Sequence, residues 1–224
     1  MSNGLDVTSI GEAFVDFVSL TSDGSLTNAQ SFVKAAGGAP ANVAVGLARL
    51  GLRSAFAGKV GKDSFGRFVQ KELRLAGVDT WGVVVDRRHK TRLAFVAVSN
   101  DGNRDFEFWE QHPADQQFRT SDVDIDRVAA SKIVNIGSFL LLNERSRSSA
   151  FHIAHEAKHR GRDVCFDPNV RLSLWTSTRF AVSALRFEPW PRWRSNRGIA
   201  MPPSHSTSHP AFTIAAAKPG ARTC

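Results

Sequence analysis

Apolar side chains recur with two periods along the chain up to Phe166, and the two periods take turns. Val7–Leu20 is an extended apolar run with Asp16 inside it, and Gln30–Ala35 alternates apolar with polar, so both predict strands. Pro40–Leu50 switches to the helical period: Pro40 suits a first turn, and Val43, Leu47 and Leu50 share a face. Ser54–Val60 predicts a strand. Asp63–Ala76 predicts a second helix, with Asp63 as N-cap, a stripe of Phe65, Phe68, Val69 and Leu73, and Gly77 as its stop. Trp81–Val85 predicts a strand. Leu93–Ser99 and Asp105–Glu110 flank Asn100-Asp101-Gly102-Asn103, a hairpin turn. Lys132–Ile136 and Asp163–Phe166 predict buried strands on either side of a helix over Glu144–Arg160. Such alternation predicts an α/β fold with a mostly parallel sheet flanked by helices. The Leu93–Glu110 hairpin breaks it and is assigned to a separate small sheet.

Composition narrows the class. With 42% hydrophobic and 22% charged residues in 224, the chain can bury a real core and is neither collagenous nor low-complexity. No apolar stretch is long enough for a membrane helix, and the N-terminus lacks a basic start followed by an apolar run. Two cysteines, Cys165 and Cys224, do not make a disulfide framework, so the expected compartment is the cytoplasm. The net charge of +8 suggests nucleic acid until its distribution is read. Thr176–Cys224 holds seven basic residues against Glu188 alone, and six of the nine prolines. The body is therefore close to neutral and needs no acidic partner. Thr176–Cys224 shows no convincing period and is expected to be a disordered, Pro/Arg-rich tail behind a body of residues 1–175.

The strongest local signal is Gly37-Gly38-Ala39-Pro40-Ala41-Asn42, joining a strand to a helix. Glycines let backbone approach a ligand, a helix N-terminus offers free N–H groups, and an Asn amide both donates and accepts. An ordinary Gly-Pro turn reads the same way in isolation. Ala44, Gly51 and Gly61 extend the signal to G-G-A-P-A-N-x-A-x6-G-x9-G. That pattern resembles the N-terminal signature of the PfkB carbohydrate kinases, the ribokinase-like sugar kinases. Gly11-Glu12-Ala13-Phe14-Val15-Asp16-Phe17 is similar to the opening strand of fructokinases. Pro113-Ala114-Asp115, Gly137-Ser138 with Glu144 and Arg147, and Asp167-Pro168-Asn169-Val170-Arg171-Leu172-Ser173-Leu174-Trp175 resemble later family segments in the right order.

The resemblance implies a ribokinase-like fold and a role for particular residues. Asp16 matches the substrate aspartate, whose carboxylate can accept from two adjacent hydroxyls. Gly37, Gly38 and Asn42 match the sugar-binding loop. Glu144 falls where the family places a substrate-side glutamate, although an acid in a first helical turn is also simply stabilising. Asp167, Asn169 and Arg171 follow a strand's C-terminal end, where α/β sheets hold ligands; Arg171 resembles a substrate-facing arginine, and a solvated basic residue reads the same way. The hairpin, with part of Gln30–Ala35, matches a β lid that excludes water and through which two copies pair. The implied reaction is ATP-dependent, Mg2+-requiring phosphorylation of a small-molecule sugar, fructose first, with no nucleic-acid or membrane partner.

One departure dominates. The family's G-A-G-D-like segment supplies an anion hole and a catalytic base, yet after Trp175 the glycines are Gly198 and Gly220 and no Asp follows Asp167. The N-x-x-E motif tied to magnesium is also absent. The resemblance ends near Trp175, as a frameshift, a mis-spliced gene model or a truncation would make it. The chain is expected to keep the sugar side of a kinase and to be inactive; the rival reading is a non-catalytic relic or sugar-binding fragment. Two other motifs compete. His155-Glu156-Ala157-Lys158-His159 matches H-E-x-x-H, but the histidines lie opposite the stripe Ala150, Ile153, Ala154 and Ala157, and no third ligand follows. Gly58-Lys59 and Gly61-Lys62 lack the remainder of a P-loop.

Overall fold

A computed structural model describes residues 4–21, 24–100, 104–109 and 111–169. The order of elements is β1 (Val7–Ile10), β2 (Phe14–Ser19), β3 (Phe32–Gly37), α1 (Ala39–Arg49), β4 (Ser54–Gly61), α2 (Ser64–Leu75), β5 (Asp79–Asp86), β6 (Leu93–Val98), β7 (Arg104–Trp109), α3 (Ile125–Ala129), β8 (Ile133–Gly137), α4 (Glu144–His159) and β9 (Asp163–Asp167). Two sheets result. Five parallel strands lie in the order β5-β4-β1-β8-β9, and four lie in the order β3-β2-β6-β7. In the small sheet β2 pairs antiparallel with β3 and parallel with β6, and β6 pairs antiparallel with β7.

The apolar run Val7–Leu20 is therefore two strands, one in each sheet. The break falls at Gly11-Glu12-Ala13, where Gly11 has φ 152°. An unbroken apolar pattern cannot show such a handover, because both halves are buried and share the same period. The hairpin and the 30–35 region do build the small sheet, and β2 joins them.

Helices cover both faces of the large sheet. On one side Ala150, Ile153, Ala154 and Ala157 of α4 pack with Ile10, Val134 and Ile136, as the stripe predicts. On the other side Val69 and Leu73 of α2 join Ala41 and Ala44 of α1 around Phe56 and Val60. The α1 stripe is the exception. Pro40, Ala41 and Ala44 are buried, whereas Val43 and Leu50 are 37% and 79% exposed. Small residues let α1 sit close to the sheet, so the larger ones are left outside. Strand β9 also differs from its buried reading: Asp163, Cys165 and Asp167 are exposed, since among the described residues it borders β8 alone. Helix α3 and the 3₁₀ turns at Ala114–Gln117, Thr120–Asp122 and Ser138–Leu142 carry too few periodic residues to be read from sequence. Arg171 and the segment Thr176–Cys224 lie outside the described residues. No helix among the described residues is long and apolar enough to cross a membrane.

Asp63 caps α2 as predicted and does more. Its Oδ1 accepts from the Gly66 amide at 2.8 Å and from the Thr91 hydroxyl at 2.9 Å, and its Oδ2 accepts from the Thr91 amide at 2.9 Å. One carboxylate thus ties the start of α2 to the approach to β6. Burial pushes this carboxyl up, but those donors together hold it below its ordinary range. Replacing Asp63→Ala should cost about 2 kcal/mol, a cap plus a lost partner for Thr91, while Asp63→Asn should cost less. Urea denaturation midpoints check this, and equal midpoints for the wild type and Asp63→Ala would refute it.

Candidate active site

The site begins with register. Cross-strand neighbours share a sheet face, so Asp16 lies with Ala35 and Ala94, and Phe14 with Gly37. Phe108 faces Ala94 and Phe106 faces Val96 on the same side. The opposite face of this sheet packs on α2, through Phe17 against Phe65 at 5.6 Å and the Lys34 ammonium 4.0 Å above Phe68. Hence one face carries a carboxylate among small residues and aromatic rings. Phe14 contacts Phe139 at 6.2 Å and Phe108 at 6.0 Å, and Phe108 contacts Phe139 at 5.6 Å.

The two glycines do different jobs. Gly37 is extended, and a Cβ there would overlap the Asp16 carboxylate, so its bare face seats that side chain. Gly38 has φ 107°, a region that L side chains rarely adopt, and its Cβ would overlap the Glu12 carbonyl. Asn42, four residues on, sits exposed in the first helical turn with its amide bonded to the Gly38 carbonyl at 2.8 Å. Asp16, Gly37, Gly38 and Asn42 are thus brought together by the β2–β3 pairing and the start of α1.

Sequence reasoning quoted Glu12 but gave it no role. It is 1% exposed and lies between Gly137 and Pro40. Its Oε1 accepts from the Ala39 amide at 3.2 Å, serving as the cap that Gly38 cannot provide, and its Oε2 has no partner. Burial, with Asp115 nearby, pushes the Glu12 carboxyl up to about 8, against the Ala39 amide and the Arg92 guanidinium. Strand order places this carboxyl at the branch of the sheet, because the chain moves from β1 to β4 and β5 on one side and to β8 and β9 on the other. Ligands of open α/β sheets bind at such a branch. The available signal was a charged residue inside an apolar run.

Beside it lies a buried ion pair, also missed. Arg92 donates to Asp115 Oδ2 through Nε at 3.1 Å and Nη2 at 2.9 Å, with side chains 3% and 2% exposed. Its guanidinium lies 5.2 Å from the Phe139 ring centre and 5.9 Å from that of Phe108. Arg92 immediately precedes β6, so the pair fastens the small sheet to the turn at Ala114–Gln117.

The remaining candidates stand apart from Asp16. Glu144 opens α4 with its side chain 77% exposed and paired with Arg147. It lines an open depression with His89, His112, Arg119 and Arg145, which none of Asp16, Gly37, Gly38 and Asn42 lines. Asp167 ends β9 opposite Gly137, and its Oδ1 accepts from the Asn169 amide at 3.0 Å. Asn169 has φ 31°, which Asn tolerates better than most residues. Both lie at the C-terminal edge of the large sheet. Among the described residues no group of three or more His, Cys, Asp or Glu is placed to hold a metal ion.

Glu12 sets a pH dependence. A carboxyl with an ordinary value near 4.5 and a folded value near 8 favours folding when protonated. Its contribution is full below the unfolded value and is lost as pH rises through the folded one. Stability should therefore fall between pH 4.5 and 8 by up to about 1.4 kcal/mol per pH unit. Glu12→Gln, which keeps an acceptor for Ala39, should flatten that slope. Urea midpoints across the range check it, and an identical slope in the variant would refute it.

Comparison with known proteins agrees with this geometry. The model of the pfkB family carbohydrate kinases matches residues 5–190, continuing past Trp175. The chain is 40% identical over 186 residues to probable fructokinase-5 of Arabidopsis thaliana, covering 83% of this chain and 57% of that protein. A sugar kinase of Pyrococcus horikoshii, solved in complex with ATP, superposes with a TM-score of 0.75 at 35% identity, covering 80% of this chain and 59% of that one. A double mutant of fructokinase from Vibrio cholerae O395, solved with fructose, ADP and potassium, gives 0.69 at 36%, covering 83% and 58%. The chain spans about half the length of the curated relatives it matches. With that match over most of its length, and with Asp16 and the Gly37-Gly38 turn set on one sheet face, the chain belongs to the pfkB family of carbohydrate kinases.

Proposed function

We propose that this chain is the acceptor side of a fructokinase-like sugar kinase, binding a small sugar without transferring a phosphoryl group to it. The observation that carries this is the Asp16 carboxylate seated on Gly37, on the sheet face that also bears Phe14, Phe106 and Phe108. A carboxylate accepts from two neighbouring hydroxyls, and aromatic rings suit the apolar C–H face of a sugar. Asn42 adds a donor and an acceptor from the first turn of α1. Asp167 and Asn169, at the C-terminal edge of the large sheet, and Glu144, at the start of α4, remain further candidates for substitution in the sugar titration, as does Arg171, which lies outside the described residues.

The parent reaction is ATP-dependent phosphorylation of a sugar hydroxyl, with fructose as the first acceptor to try. ATP and Mg2+ belong to that parent reaction. The described residues hold no cluster for a divalent cation, and no Asp follows Asp167 to act as base. Phosphoryl transfer rests on positioning and charge stabilisation, so a chain whose sequence lacks the G-A-G-D-like segment is expected not to catalyse it. The rival, a relic that binds nothing, predicts the same missing turnover and differs in binding. The lid, with β3 and β7 at its edges and Val33 and Trp109 more than half exposed, is the surface through which two copies would pair.

Fructose binding followed by calorimetry or ligand-observed NMR separates the readings. Saturable binding should be weakened roughly 100-fold by Asp16→Ala, the loss of two hydrogen bonds to a charged group. Gly37→Ala, which displaces the Asp16 carboxylate, should weaken binding more than it lowers stability. No ATP-dependent product should form above the Asp16→Ala background. Turnover would refute the division of labour, absent binding would favour the relic, and binding unaltered by Asp16→Ala would refute the Asp16 site.

A further inference from the structure

The histidine pair on α4 is the sequence motif that the sugar site leaves unused. His155 and His159 are exposed one helical turn apart, opposite the buried stripe Ala150, Ile153, Ala154 and Ala157. Exposed rings at this spacing have room to splay apart. Here they converge: the ring centres are 4.2 Å apart and Nε2 lies 3.1 Å from Nε2. The backbone beneath is firmly held. Ala157 is in the core, and Arg160, one residue past His159, pairs with Asp126 of α3.

That separation has a meaning in coordination chemistry. Two metal–nitrogen bonds of about 2.0–2.1 Å at a tetrahedral angle put the nitrogens roughly 3.3 Å apart, and at a right angle roughly 2.9 Å. The observed 3.1 Å falls between them. Glu156 is turned elsewhere, 3.7 Å from the Arg160 guanidinium and 3.9 Å from His155 Nδ1. The protein therefore offers two ligands and leaves the remaining positions to water. This is not the three-ligand catalytic centre that an H-E-x-x-H motif suggests, and it is remote from the Asp16 face by sequence and by element.

We propose that His155 and His159 form a surface chelate for a divalent transition-metal ion, Cu2+ most tightly, then Ni2+ and Zn2+. Neutral imidazole suits these ions, and the affinity order follows from the ions themselves. Each Nε2 gives its lone pair to the ion, and the N–H···N bond between the rings is lost as the donor ring changes tautomer, its proton passing through solvent from Nε2 to Nδ1 so that both rings stay neutral. The bound ion staples the last two turns of α4, which lead through Gly161 into β9. An ion that binds the folded chain and not the unfolded one raises the melting temperature.

The test uses the full 224-residue chain without an affinity tag. A second pair with the same spacing, His205 and His209, occurs in the sequence, so the background is the His205→Ala, His209→Ala chain. In that background, titration with Cu2+ or Ni2+ should show one saturable equivalent and a raised melting temperature. The paramagnetic resonance spectrum of the Cu2+ form should show two imidazole nitrogens. His155→Ala and His159→Ala should each weaken binding by at least about tenfold and remove the thermal shift. Both positions are exposed, so the unliganded melting temperature should not change. Absence of saturable binding, or binding unaltered in the double His155→Ala, His159→Ala variant, would overturn the proposal.

Discussion

The handover at Gly11-Glu12-Ala13 is the constraint on which the rest of the molecule depends. Three residues carry the chain from the centre of the large sheet into the centre of the small one. Glu12 serves both: its carbonyl sets the floor on which Gly38 must lie, and its side chain caps α1 at Ala39. Fixing this turn fixes where β2 departs and where β3 must return. The candidate sugar-site residues follow, since Asp16 is four residues past Glu12 and Asn42 is four past Gly38. The arrangement has a cost. An acid held almost entirely out of water retains its proton to about pH 8, and one of its oxygens finds no partner. Buried orphan groups of this kind concentrate at functional sites.

Two further links hold the small sheet against the body. The Asp63–Thr91 network joins α2 to the strand entry, and the Arg92–Asp115 pair joins the same entry to the turn below. They differ in kind. The first is partly solvated, made of hydrogen bonds to one carboxylate, and adds stability at modest desolvation cost. The second is fully buried, so desolvation offsets much of its attraction, and its value lies in fixing geometry. Arg92 presses its flat face near Phe108 and Phe139, which turns an ion pair into part of the aromatic floor. The entry to β6 is therefore fastened at the consecutive residues 91 and 92.

Much of the fold was legible in the sequence, because parallel strands and amphipathic helices carry strong periods. Asp63 was readable as a cap, and the α4 stripe was readable from its alanines and Ile153. Failures share a physical cause. The sequence pattern of Val7–Leu20 records burial and not which sheet does the burying. In α1 the largest apolar residues gave the stripe, yet close packing selected Pro40, Ala41 and Ala44 for the interior. Asp16, Gly37, Gly38 and Asn42 stood out because they fall in contiguous motifs, and the structure sets Gly37 against the Asp16 carboxylate. Glu12, Arg92 and Asp115 did not stand out, since the value of each depends on partners 23 to 27 residues away. Glu144 had the right position along the sequence and a surface environment in three dimensions.

On the proposed reading, in which the Asp16 face takes the sugar, the residues that build that face fall early in the chain. The acceptor face is made of β2, β3, β6, β7 and the first turn of α1, with Phe139 as the main later contribution. Everything that orients Asp16 is thus in place by Phe139. The large sheet plays a different part: its parallel strands bring Gly11, Gly137 and Asp167 to one edge, across from that face. On that reading the Asp16 face owes its geometry to these elements, while Asp167 and Asn169 arrive later, at the edge of the other sheet. Sugar recognition and phosphoryl transfer would then draw on different stretches of chain, which is why binding and turnover have to be measured apart.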